Sequence, residues 1–193
     1  LLLWNDDPMP SPDSLTGLLA RRGFERRMDA ALGRMRRGIT PGATLMAIDL
    51  DKFNEVNNGF GHQVGDEVLR EVGARLRAQV RRPDDLAARP GGDEFALLLP
   101  GLFDREAATD RACEVADAIT APIATSAGTF RLGVSIGVVP VESWGGVPSF
   151  DTLMAQADEA MFIAKRDGSR VHLYDPDELA PWGDDDLIHR RKR

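Results

Sequence analysis

Apolar positions in this chain fall into two rhythms that alternate along its length. Leu18, Phe24, Met28 and Leu32 recur at helix-like intervals through an Arg-rich stretch, predicting an amphipathic helix that ends before Gly38 and Pro41. Residues 44–49 form a short apolar run bounded by Pro41-Gly42 and by charge, the pattern of a buried strand. Val68, Val72, Leu76 and Val80 share one face of a helix over residues 64–80. Residues 86–88 and 95–99 read as strands joined by a tight turn at Gly91-Gly92, because a residue without a Cβ accepts the positive φ that hairpin turns require. A helix over residues 105–119 follows, then strands around Ile123 and over residues 130–138 with a turn at Gly128. A last helix over residues 150–165 stops at Gly168 and hands over to a short strand at residues 171–174. This alternation predicts an α/β or α+β domain with one central sheet and helices against it.

The ends are different in kind. Residues 8–13 are rich in Pro and Ser and read as a lead-in; beyond Asp175 the composition turns to Asp, Pro and Gly. The expected organisation is a linker over residues 1–12, a catalytic domain over 13–175 and a tail over 176–193. The apolar start, Leu1 to Trp4, is far short of the roughly 20 residues that cross a bilayer. With no initiating methionine, the sequence reads as a piece of a longer protein.

Composition narrows the function classes. The chain has 193 residues, 42% hydrophobic and 28% charged, enough for one domain with a sizeable core. A net charge of −7 with no basic stripe argues against a nucleic-acid partner; the one dense positive run is Arg190 to Arg193. The single cysteine, Cys113, sits in a helical pattern without partners for a disulfide or a zinc site, which fits a reducing, cytoplasmic setting.

Two acidic clusters stand at strand ends: Asp49 with Asp51, and Asp93 with Glu94 at the Gly-Gly turn. If those strands are neighbours, Asp49 and Glu94 converge, and carboxylates gathered in this way suit Mg²⁺ while leaving positions for water and substrate phosphates. Acidic residues also cap helices and populate turns, so spacing alone leaves both readings open. A given run Gly-Gly-Asp-Glu-Phe arises by chance in a chain of this size on the order of once in ten thousand.

That pentapeptide, Gly91 to Phe95, resembles the signature of the GGDEF family of diguanylate cyclases, and the resemblance extends in order along most of the chain. Asp13-Ser14-Leu15-Thr16-Gly17-Leu18 with Arg21-Arg22 is similar to the family's opening motif. Asp49-Leu50-Asp51, Phe53, Asn57, Gly61-His62 and Gly65-Asp66 resemble its metal and guanine segment; Ser135-Ile136-Gly137 and Ala164-Lys165 resemble its late strand and final helix. The resemblance implies an α+β fold with a five-stranded, mainly antiparallel sheet flanked by helices, similar to nucleotidyl cyclase and polymerase palm domains. It implies condensation of two GTP into cyclic di-GMP by two facing domains, a homodimer, and two Mg²⁺ or Mn²⁺ ions per half-site.

Residue roles follow from the same resemblance. Asp49, the Leu50 carbonyl, Asp93 and Glu94 would hold metal; Gly91 and Gly92 would let the hairpin backbone approach the nucleotide. Asp93 is open to a role as general base or as metal ligand. Asn57 and Asp66 would read guanine, with Phe53 and Lys165 completing the substrate site. On the residues alone, Asn57-Asn58-Gly59 is also a good turn and Asp66 a solvated first-turn acid. His62 accompanies a helix start and is given a structural role. Arg82 and Asp85 match the family's Arg-x-x-Asp product-inhibition site, which is the favoured reading, although the same residues also form a charged loop after a helix.

Four positions depart from the family pattern: Asn54 and Ser169 where cations are common, Asn58 where an aspartate is common, and Pro90 where an aromatic is common. They raise an alternative, a catalytically weak module that binds GTP or cyclic di-GMP as a sensor. The family also implies an output domain of a larger, in some cases membrane-attached, protein with an upstream sensory domain and, in some members, a downstream phosphodiesterase domain.

Overall fold

The computed structural model describes residues 12–178. Most of the expected linker and tail, and the cluster Arg190 to Arg193, lie outside the described residues. The elements run α1 (Arg21–Arg36), β1 (Gly42–Asp51), α2 (Phe53–Phe60), α3 (His62–Gln79), β2 (Leu86–Gly91), β3 (Glu94–Pro100) and α4 (Arg105–Thr120). The hairpin β4 (Ile123–Thr125) and β5 (Gly128–Phe130) follows, then β6 (Gly133–Glu142), α5 (Phe150–Asp167) and β7 (Val171–Leu173). Five strands form one sheet in the order β2-β3-β1-β6-β7, antiparallel except where β7 joins β6.

Period-two alternation sends each central strand's side chains to two separate cores. Met46, Ile48 and Leu50 of β1 join Val68, Val72 and Leu76 of α3 and Ala112, Val115 and Ile119 of α4 on one face. Leu45 and Ala47 join Phe24, Met28 and Leu32 of α1 and Leu153 and Ala157 of α5 on the other. Gly137 of β6 permits the closest approach between layers: a methyl group there would overlap the backbone of Ala157 and Met161 in α5.

Helix ends follow local chemistry. Asp104 caps α4 by accepting from Ala107 N at 2.9 Å, and Ser149 caps α5 by accepting from Thr152 N at 3.1 Å. Gly168, at φ 69°, ends α5. The C-terminal end of α4 is held by Arg75 of α3, which donates to the carbonyls of Ala118, Ile119, Ala121 and Pro122 at 2.5–3.2 Å.

Three sequence expectations change. Leu18 is not part of the first helix: α1 starts at Arg21, and Leu18 is buried in the opposite core from Phe24. The run read as one strand over 130–138 is two elements, β5 and β6. Asn57-Asn58-Gly59 is the last part of α2, because Phe53 and Val56 bury one face of that helix and outweigh weak local propensity.

Candidate active site

The glycine turn is a two-residue hairpin: Gly91 pairs with Glu94, leaving Gly92 and Asp93 as the loop. Gly92 takes φ 55° and Asp93 does not go positive, as in a type II′ turn, where only the first loop residue needs a positive φ. In register, Asp49 of β1 lies opposite Glu94 of β3 on one side and Ser135 of β6 on the other. The convergence expected from the sequence is therefore a direct cross-strand pairing. The hairpin is tied to β1 by Leu50 N, which donates to the Asp93 carbonyl at 3.4 Å.

Asp49 is confined, its side chain only 14% exposed. Burial pushes its carboxyl above the usual carboxylate range; Lys165 works the other way, and the charges of Asp93 and Asp51 push it further up. Lys165 Nζ donates to Asp49 Oδ1 at 2.6 Å, so the cation expected at substrate sits on this partly buried acid. Asp51 accepts from the Ser135 hydroxyl at 2.8 Å, and Gly133 leaves room for it, since a Cβ there would overlap the carboxylate.

A crowd of like charges that already draws one ammonium is an environment that favours a divalent cation. Among the described residues no three His, Cys, Asp or Glu side chains are grouped so that they alone could hold a metal ion. An ion such as Mg²⁺ keeps water and phosphate ligands of its own, and the acids the structure gathers here are Asp49, its cross-strand partner Glu94, and Asp93, whose charge acts on Asp49.

Asn57, near the end of α2, meets α3 at Gly65, the residue before Asp66. A Cβ on Gly65 would overlap the Asn57 side-chain oxygen, so that glycine lets the amide lie against α3. Asp66 is half-exposed, with Arg70 NH2 3.8 Å away. Phe53 is 5% exposed and belongs to the core, so its ring backs this junction and only its backbone is left to a ligand. His62 is the first residue of α3. Lys52, between Asp51 and Phe53, takes φ 58°, the one positive φ outside glycine among the described residues, at a cost of about 1–2 kcal/mol.

Arg82 and Asp85 lie at the other end of β3, about 20 Å from the hairpin at the rise of an extended strand. Asp85 is buried and its Oδ2 accepts from the backbone N–H groups of Arg81 and Arg82, both at 2.9 Å. Arg82 reaches the Pro100 carbonyl at 3.4 Å. Both residues line a cleft of about 310 Å³ whose far wall is α4, including Arg111, itself fixed to Gln79 and Glu114.

One residue the sequence reading passed over is central. Arg89 donates through Nε and NH2 to the Gly92 carbonyl, at 2.9 and 2.7 Å, and through NH1 to both oxygens of Asp13 at 3.2 Å. Asp13 in turn accepts from Thr16 N at 2.8 Å and Thr16 Oγ1 at 2.6 Å. Leu19 N donates to Ala87 O and Arg89 N to Leu19 O, so the lead-in covers the outer edge of β2. An arginine two residues before a glycine turn, with an acid in the lead-in, was the available signal.

Sheet order, hairpin and facing carboxylates define the class: the domain fold of GGDEF proteins. The family model described as "Diguanylate cyclase, GGDEF domain" matches residues 11–170, and the chain belongs to this family. It is 40% identical over 169 residues to the diguanylate cyclase TpbB of Pseudomonas aeruginosa, covering 85% of this chain and 38% of that protein. It is 36% identical over 163 residues to the response regulator PleD of Caulobacter vibrioides, covering 81% and 34%. The solved GGDEF domain of TpbB superposes with a TM-score of 0.75 at 35% identity, covering 92% of this chain and 99% of that one. The coiled coil and GGDEF domain of DgcB from Caulobacter crescentus, solved in complex with c-di-GMP, matches with a TM-score of 0.74 at 28% identity, covering 84% and 85%. The chain thus spans well under half the length of these two curated relatives, and no described helix is long and apolar enough to cross a membrane.

Proposed function

We propose that this domain condenses two GTP molecules into cyclic di-GMP, releasing two pyrophosphates. The observation that carries this reading is the cross-strand pairing of Asp49 with Glu94 beside the Gly92-Asp93 loop. Asn57 and Asp66 hold the guanine edge, the amide offering a donor and an acceptor and the carboxylate accepting from the N1 and N2 donors of the base. Asp49, Asp93 and Glu94 hold Mg²⁺ or Mn²⁺, which when bound lowers the pKa of the ribose 3′ hydroxyl and neutralises charge on the α-phosphate. Gly91 and Gly92 keep the hairpin open to the nucleotide. Lys165, bonded to Asp49, moves to a phosphate when substrate arrives. Two copies face each other, each supplying one GTP. Cyclic di-GMP binds back at Arg82 and Asp85 and inhibits; Asp85 shapes the loop there through Oδ2, leaving Arg82 as the principal ligand. The domain acts as the output of a longer signalling protein.

A second reading, a nucleotide-binding sensor with little turnover, is favoured by Asn54 and Ser169, which remove two cations from the phosphate region, and by the Lys165 to Asp49 contact. Incubating the chain with Mg²⁺ and GTP and resolving the products separates the two. Cyclic di-GMP and pyrophosphate in a one-to-two ratio support the cyclase; binding of GTP without either product, even in a forced dimer, supports the sensor.

A further inference from the structure

Beside α2, an open cleft of about 580 Å³ lies between that helix and the β5 to β6 connection. Two cations stand on its opposite walls. Lys52 has only Glu55, 3.9 Å away, and Arg131 makes no hydrogen bond or ion pair with another described residue. Phe60 is 54% exposed and stands edge-on against Phe130, with ring centroids 4.9 Å apart at 83°. An uncovered aromatic face beside two loosely held cations matches the chemistry of a nucleotide, a flat base joined to phosphates.

The cleft is at the same end of the sheet as the catalytic carboxylates, since its wall residue Gly133 pairs with Asp51 in register. It is nevertheless distinct from the Asn57 and Asp66 junction, since neither residue lines it. Asp51 also lines the cleft, but its Oδ1 is bonded to Ser135. Glu55 is the remaining anion on the wall, and it neutralises Lys52 only loosely.

We propose that this cleft binds the phosphates of a second guanine nucleotide between Lys52 and Arg131, with its base against Phe60. The proposal rests on the reading of the domain as GTP-using. The second nucleotide comes either from solution or from the active site of a facing copy. Glu55 competes with it for Lys52.

The two sources are separated by two measurements on the full chain. In the first, the Asn57→Ala/Asp66→Ala variant, whose own guanine site is removed, is titrated with Mg²⁺ and the non-condensable analogue guanosine 5′-(α,β-methylene)triphosphate. Residual binding that weakens about tenfold or more on adding Lys52→Ala and Arg131→Ala, and strengthens on adding Glu55→Gln, assigns the cleft to nucleotide from solution. In the second, Lys52→Ala/Arg131→Ala alone is assayed for turnover at saturating GTP and at protein concentrations where the domain dimerises. A fall in kcat of about tenfold with KM unchanged, partly restored by Lys52→Arg, assigns it to the facing copy's nucleotide. No residual analogue binding together with unchanged kcat overturns the proposal. Failure of the unmodified chain to form any cyclic product defeats the catalytic reading alone, and the cleft is then decided by the first measurement, which needs no turnover.

Discussion

Replacing Arg89 with alanine tests how the glycine hairpin is held. The guanidinium is 12% exposed and Asp13 is 20% exposed, so neither group is freely solvated. The substitution removes two donors from the Gly92 carbonyl and one from the Asp13 carboxylate. Hydrogen bonds to charged groups contribute roughly 1.5–3 kcal/mol each when a partner is left behind. Two things reduce the loss: Gly92 is exposed and regains water, and Asp13 keeps both contacts from Thr16. A net destabilisation of about 2–3 kcal/mol results, which lowers Tm by about 5–10 °C in a domain of this size.

The pair is isolated by a double-mutant cycle in urea with Arg89→Ala, Asp13→Ala and both together. Contact between the two side chains predicts a coupling of about 1–2 kcal/mol. Arg89→Lys should recover only part of it, because an ammonium cannot fork between the Gly92 carbonyl and a carboxylate. If the domain makes cyclic di-GMP as proposed, kcat should fall more than KM rises, since the hairpin carrying Asp93 loses its anchor while the α2 and α3 junction at Asn57 is untouched. Strictly additive urea stabilities, with unchanged turnover, would refute the reasoning.

Other substitutions test the remaining contacts. Gly137→Ala should cost more than about 3 kcal/mol, because the methyl group meets helix backbone that cannot rotate aside, and calorimetry reads this directly. Arg75→Ala uncaps the last carbonyls of α4 and should lower stability by about 2 kcal/mol in urea melts, with faster amide exchange at residues 118–121. Burial acts to raise the Asp13 pKa, but the bonds from Thr16 and Arg89 outweigh it and hold it below the reference 3.8; the stability this supplies is full above that pH and is lost as pH falls through the lowered value, so Asp13→Asn should flatten the acid limb of a stability profile. Asp49→Asn should abolish cyclic product and leave Tm unchanged or higher, since it removes a carboxylate whose ionised form burial disfavours.

The parts of the fold that the sequence displays are those whose requirement is local. Gly92 must take a positive φ, Val68, Val72 and Leu76 must share a face, and Gly168 must end a helix; each leaves its mark within a few residues. The second helix was hidden because Asn57, Asn58 and Gly59 favour turns, although Phe53, Val56 and Phe60 keep a helical spacing across them. There the burial of Phe53 and Val56 decided the outcome, and burial is a property of the neighbours.

The site divides in the same way. Asp49 and Glu94 were legible as acids at strand ends, but their pairing depends on the register of β1 with β3, which no short window contains. Arg89 went unread for a related reason: one of its partners is a backbone carbonyl and the other lies 76 residues earlier. Lys165 shows the limit from the opposite side. A lysine in the final helix suggests a phosphate ligand, yet without a nucleotide the nearest demand for positive charge is the confined Asp49, 116 residues away, and the ammonium goes there. The same electrostatic demand that makes Asp49 a good place for a divalent cation therefore makes Lys165 its competitor. Lys165→Met should accordingly tighten Mg²⁺ binding in the absence of GTP even as it weakens GTP itself, two effects of opposite sign that a purely phosphate-binding lysine would not produce.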